Sequence, residues 1–110
     1  MKLVVKNKKI NIIECNRFFK RFVSFKFKFE TIDYGLYFPH KKYANTYLFC
    51  QKVDLCFTDK NQKILYLYKD VPSEQVVIHL KAKNVWILPL GTVLKLNTGD
   101  TLKIEKKEID

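Results

Sequence analysis

The stretch that decides the fold is Val53-Asp54-Leu55-Cys56-Phe57-Thr58, followed by Asp59-Lys60-Asn61-Gln62 and then Lys63-Ile64-Leu65-Tyr66-Leu67-Tyr68. Val53, Leu55 and Phe57 alternate with Asp54, Cys56 and Thr58, the period of two that a strand requires. The polar tetrapeptide after them reads as a turn, so the whole stretch predicts an antiparallel hairpin.

The same signature repeats outward from it. Tyr34 to Pro39 reads as a strand stopped by proline, and Thr46 to Cys50 as another. Leu3-Val4-Val5 and Ile10-Asn11-Ile12-Ile13 flank Lys6-Asn7-Lys8-Lys9 and predict a second hairpin. At Asn16 the period changes. Asn16 can cap a helix, with Phe18, Phe19, Phe22 and Val23 on one face and Lys20, Arg21 and Ser24 on the other. Phe25-Lys26-Phe27-Lys28-Phe29 then returns to strand-like alternation.

Toward the C-terminus, Val76 to Ile78 and Val85 to Pro89 are strand candidates, and Gly91 to Leu96 a single capped helical turn. Thr98-Gly99-Asp100 reads as a tight turn, Thr101 to Ile104 as a last strand, and 105–110 as a charged, frayed tail. The expected architecture is mainly β: one compact sandwich- or barrel-like domain of about seven short strands with a short helix near 16–24.

The totals agree with a single packed domain. The chain has 110 residues, of which 47% are hydrophobic, enough for one core and too few for two. The opening Met1-Lys2-Leu3-Val4-Val5-Lys6 is too short an apolar run for a secretory signal, and no window approaches a membrane span, so the expected location is the cytoplasm. Three cysteines, Cys15, Cys50 and Cys56, lack the pairing and spacing of a disulfide framework or zinc site. Cys50 and Cys56 lie in apolar runs and are expected to be small core residues.

Several segments, in order, resemble the domain-of-unknown-function 192 family (uncharacterised protein family 0127). Phe19-Lys20-Arg21-Phe22 is similar to the start of its F-x-x-R-L-x-G-L-L-x-R motif, and Gly35-Leu36-Tyr37-Phe38 to its glycine-led apolar segment. Asn45-Thr46-Tyr47-Leu48-Phe49 resembles H-T-F-F-M. Val53 to Asp59 resembles P-I-D-V-V-F-L-D, Val85 to Thr92 resembles V-L-E-L-P-A-G-T, and Asn97 to Asp100 its closing turn. The resemblance spans residues 15–104 and implies a compact β-rich fold without implying an activity. Here Ser24 replaces the family glycine, Lys28 an arginine, Asn45 a histidine, Lys52 a proline and Lys41 a residue often cysteine. Loss of the imidazole at position 45 counts against proton-transfer chemistry.

Elsewhere catalytic signals are weak. His40 sits in a lysine-rich loop and His79 in an alternating run, neither in metal-ligand spacing. Asp59 opens a turn, where aspartate normally bonds its own backbone. Asp54 interrupts an apolar strand and reads first as a carboxylate tying down a backbone amide. Three scattered glycines cannot form a phosphate loop. No cofactor or metal is expected, and no enzyme.

Charge is the remaining signal. The formal net charge is +10, and residues 1–28 hold nine Lys or Arg against one acid, while 29–110 hold twelve against ten. A basic first quarter interleaved with Phe suits a nucleic acid or anionic surface. Only Arg17 and Arg21 are arginine, however, whereas base readout and bidentate phosphate clamps favour Arg. Codon bias of an A/T-rich genome would also enrich lysine. Two functional readings result. One is a non-catalytic binding or accessory domain with a ligand site at Asn45, Thr46 and Asp54. The other is a polyanion binder acting through Lys20, Arg21, Lys26 and Lys28.

Overall fold

The computed structural model describes residues 1–6, 8–15, 33–46 and 49–105. The strands are β1 (Lys2–Val5), β2 (Lys8–Glu14), β3 (Tyr34–Pro39), β4 (Tyr43–Asn45) and β5 (Val53–Thr58), then β6 (Ile64–Val71), β7 (Val76–Ile78), β8 (Asn84–Leu88) and β9 (Lys103–Glu105). A single 3-10 turn, Thr92–Lys95, follows β8. The short helix expected near 16–24 and the alternating run 25–29 lie outside the described residues.

Seven strands form one sheet in the order β6-β5-β8-β3-β2-β1-β9, and β4 and β7 form a separate two-stranded ribbon. All pairings in the large sheet are antiparallel except β2 with β3. The sheet curls into a half-barrel, in keeping with the right-handed twist that strands accumulate. Its two edges meet at one end. Lys63, just before β6, bridges Thr101, just before β9. Ile64 N–H donates to Asp100 O at 2.8 Å, Gly99 N–H to Ile64 O at 2.8 Å, and Leu102 N–H to Gln62 O at 2.9 Å. Joining the edges removes backbone groups that would otherwise template aggregation.

Period-two alternation divides the core into two layers. Val53, Leu55, Phe57, Val85, Ile87 and Leu36 face one way, and the ribbon covers them with Ala44 and Val77. Cys56, Trp86, Leu88 and Tyr37 face the other way, into the barrel, with Leu3, Val5, Ile12, Ile64, Val93 and Leu102. β5 and β8 are buried along their whole length because both of their faces are covered. The hairpin that decided the fold is thus an internal one, and its burial on both faces explains why Asp54, Cys56 and Thr58 are as inaccessible as the apolar residues between them.

Three expectations need correction. A strand is expected over Thr46 to Cys50; Tyr47 and Leu48 lie outside the described residues, and Thr46 follows the strand Tyr43–Asn45 rather than belonging to one. Thr46 instead ties down the loop after β6, its N–H donating to Gln75 O at 2.9 Å and its carbonyl accepting from Glu74 N–H at 3.1 Å. Cys50 is exposed, while Cys15 and Cys56 are buried. Burial pushes the Cys56 thiol up to about 12 and the Cys15 thiol to about 11. Glu105 belongs to β9 rather than to a frayed tail, because it pairs with Lys2 of β1. Nine strands are found among the described residues, seven of them in the one curled sheet.

Candidate functional site

Asp54 is fully buried and sits opposite an irregularity in its partner strand. Leu55 pairs with Tyr68 and Val53 with Val71, so Lys69 and Asp70 together oppose Asp54 alone. An extra residue on one strand frees an amide from the ladder. Asp54 Oδ1 accepts the Asp70 N–H at 3.1 Å, and Oδ2 accepts the Val93 N–H of the 3-10 turn at 3.0 Å. The carboxylate therefore joins the bulge in β6 to the turn that plugs the barrel. It is a positioning residue with both oxygens engaged.

Thr46 is also committed internally. Its hydroxyl donates to Pro72 O at 2.7 Å and accepts from Gln75 N–H at 2.9 Å. Asn45 lies half-buried in β4, opposite Val76. Two clefts formed by described residues, one beside the β1–β2 hairpin and one beside the ribbon, are lined by other residues. Lys20, Arg21, Lys26 and Lys28 lie outside the described residues.

A polar network runs across the barrel interior, and it is closed. Tyr37 stacks on Trp86 with ring centroids 4.2 Å apart. Tyr37 Oη donates to Asn84 Oδ1 at 3.1 Å and accepts from Gln62 Nε2 at 3.0 Å. Gln62 Oε1 accepts from Trp86 Nε1 at 3.1 Å and from Thr58 Oγ1 at 2.9 Å. Asn84 Nδ2 reaches Asp59 O at 2.9 Å. Burial raises the Tyr37 phenol above its ordinary value, with the Gln62 hydrogen bond opposing it. Donors and acceptors satisfy one another within this group, and Asn84 Oδ1 also accepts the His40 N–H at 3.3 Å, which fixes the core.

A larger cleft than that beside the ribbon lies at the β1–β2 hairpin. It encloses about 470 Å³ between the β1–β2 hairpin and the segment after β8. Val5, Ile10, Pro89 and Leu90 supply apolar walls, and Lys8, Lys9, Lys95 and Asp33 supply charge. Three lysines face one aspartate. Lys9 is partly neutralised, its Nζ lying 2.9 Å from Glu105 Oε2 at the surface, and this contact holds the Glu105 carboxyl below its ordinary value. Lys8 and Lys95 have no acidic partner among the described residues.

Local chemistry shapes both walls. Lys6 adopts a left-handed φ of 52° in the β1–β2 turn, which brings Lys8 back beside Val5. On the other wall Gly91 has φ 91°. A Cβ there would meet nothing within 4 Å, so backbone conformation rather than space demands glycine. Thr92 Oγ1 donates to Pro89 O at 2.7 Å, closing the turn, and the Val93 N–H is the one that Asp54 accepts. Asp54 thus fixes the cleft wall from behind. Sequence reading singled out Asp54 and its bond to a backbone amide, whereas Lys8, Lys9, Asp33 and Lys95 carried no motif to single them out.

No protein-family model matches the chain, and no curated protein matches it by sequence. Two solved structures share its fold. A candidate transcription regulator from Sinorhizobium meliloti 1021 is 15% identical with a TM-score of 0.74, the match covering 93% of this chain and 89% of that one. A protein of unknown function from Novosphingobium aromaticivorans DSM 12444 is 10% identical with a TM-score of 0.68, covering 94% and 82% respectively. At these identities the likeness establishes the mainly β single-domain fold. No helix among the described residues is long and apolar enough to cross a membrane.

Proposed function

We propose that the chain is a non-catalytic binding domain of the domain-of-unknown-function 192 type, and that its ligand is a small anion with an apolar body. The observation that carries this reading is the cleft beside the β1–β2 hairpin, with apolar walls and the unpaired Lys8 and Lys95. A volume of about 470 Å³ is in the range of small-molecule sites, and a few charged groups over apolar walls orient such ligands. The non-catalytic reading is supported by the internal commitment of Thr46, Asp54 and the Tyr37–Gln62–Trp86 network.

A thermal-shift screen of nucleotides, sugar phosphates and aromatic carboxylates tests it, since a ligand that binds only the folded state raises the melting temperature. The expected result is a rise with anions that carry a ring, lost in Lys8→Ala and in Lys95→Ala. A shift that survives both substitutions, or no shift from any anion, overturns the reading.

Polyanion binding is favoured by a separate observation: Lys2, Lys6, Lys8 and Lys9 are all exposed on one hairpin. Retention on heparin that falls steeply with salt would identify it, because counterion release makes such binding salt-dependent.

A further inference from the structure

The ribbon formed by β4 and β7 has one face packed and one face bare. Ala44 and Val77 turn inward onto the core. On the outward face Tyr43 opposes Ile78 and Asn45 opposes Val76. Tyr43 is 43% exposed, Val76 45%, Ile78 60% and nearby Leu80 78%. Among the described residues, one edge of each ribbon strand has no neighbouring strand.

The border of this apolar face is cationic. Residues 38–45 and 76–84 contain four lysines and two histidines and no acid. Backbone bonds bring these residues together: Lys41 N–H donates to Lys83 O at 3.0 Å, and His79 N–H to Lys42 O at 2.9 Å. Lys42 Nζ is spent on Leu80 O at 2.8 Å and Ala82 O at 3.1 Å, which fixes the turn that presents Leu80. Lys41 Nζ lies 4.5 Å from the Phe38 ring centroid and 4.7 Å from that of Tyr43. Lys81 and Lys83 are exposed and have no acidic partner among the described residues. Beside them His40, Lys42, Ala82 and Lys83 line a depression of about 200 Å³.

We propose that this ribbon face docks an acidic segment of a partner protein whose apolar side chains cover Val76, Ile78 and Leu80. Charge decides the occupant. A second copy of a chain with net charge +10 would set lysine against lysine, whereas carboxylates on a partner would meet Lys81 and Lys83. The apolar component argues for peptide over nucleic acid, because Ile, Val and Leu offer no stacking platform for bases.

The test uses the full chain and a fluorescein-labelled peptide, Glu-Val-Asp-Ile-Glu-Phe-Asp-Val, followed by fluorescence anisotropy and by amide NMR shifts. Saturable binding is expected, with shifts confined to residues 41–45 and 76–83. Affinity should fall at least tenfold in Ile78→Ser/Leu80→Ser and in Lys81→Glu/Lys83→Glu, while Lys103→Ala, on β9, leaves it unchanged. Circular dichroism and melting of each variant confirm that it folds. Three results would each overturn the proposal. They are peptide shifts that map elsewhere, tighter binding of a single-stranded RNA of equal charge through the same residues, and self-association in sedimentation that protects the ribbon.

Discussion

The seven-stranded sheet and the two-stranded ribbon use similar amino acids to opposite ends. Val53, Leu55, Phe57 and Val85 in the sheet are buried to 1% exposure or less, while Val76 and Ile78 in the ribbon are 45% and 60% exposed. The polar residues differ in the same way. Asp54, Thr58, Asn84 and Gln62 spend their hydrogen bonds inside the half-barrel. Lys81 and Lys83 at the ribbon's end and Lys8 and Lys95 at the hairpin cleft have no acidic partner among the described residues. A buried, fully bonded polar group is part of the scaffold, and binding capacity resides where side chains have not found internal partners. By that criterion the sheet is the frame, and the cleft and the ribbon face are the proposed binding surfaces.

The sharpest way to break this contrast is to remove the carboxylate in the sheet. Asp54→Ala leaves the Asp70 and Val93 amides without their acceptor, and a buried donor left unpaired costs about 1–3 kcal/mol. A loss of about 3 kcal/mol is expected in urea unfolding, taking both amides together. Asp54→Asn should lose about half as much, because its single oxygen can serve one amide. If Asp54→Ala unfolds at the wild-type urea concentration, the carboxylate is not a structural brace.

Asp54 also shows how far the sequence could be read. The alternation in 53–68 gave a strand pair, and β3, β5, β7 and β8 fall where the pattern put them to within a residue. Its asparagine, proline and glycine punctuation marked the turns. That Asp54 bonds a backbone amide was legible from burial alone. Which amides it bonds was not, because one belongs to a bulge and the other to a turn 39 positions away, joined to it by tertiary packing. The ribbon was misread for a related reason. Tyr43-Ala44-Asn45 is too short to show a period, and its partner Val76–Ile78 lies beyond two intervening strands. The cleft left no local trace at all, since Lys8, Asp33 and Lys95 are brought together only by the curl of the sheet.

Gly35 offers a smaller perturbation of the same frame. It lies in β3 opposite Ile12. An added Cβ would stand 2.7 Å from Ile12 Cδ1, 3.0 Å from Leu88 Cδ2 and 3.1 Å from Ile87 O. The Ile12 methyl can rotate away. The Ile87 carbonyl belongs to the antiparallel strand on the other side and cannot move without disturbing the sheet. Overpacking of this kind costs about 1–3 kcal/mol, so Gly35→Ala should be destabilised by about 2 kcal/mol in the same urea assay. A change under about 0.5 kcal/mol would mean that the barrel interior yields more easily than a close-packed sheet should.

The mildest test lies at the junction of the two regions, where His79 joins the ribbon to β6. Its ring stacks on Tyr66 with centroids 3.6 Å apart, its Nε2 is hydrogen-bonded to the Tyr68 hydroxyl, and Phe57 meets it edge-on at 4.9 Å. Burial among these rings holds the imidazole below its ordinary value of 6.5. The unfolded chain therefore takes up a proton first as pH falls through 6.5, and in that window the unfolded state binds more protons. Stability from this group is fully present above 6.5 and declines as pH drops toward the folded-state value. The urea midpoint should fall modestly between neutral and mildly acidic pH, and His79→Phe, which preserves the stack without a titrating group, should flatten that part of the profile. The same slope in both proteins would mean that the ring is solvated rather than held.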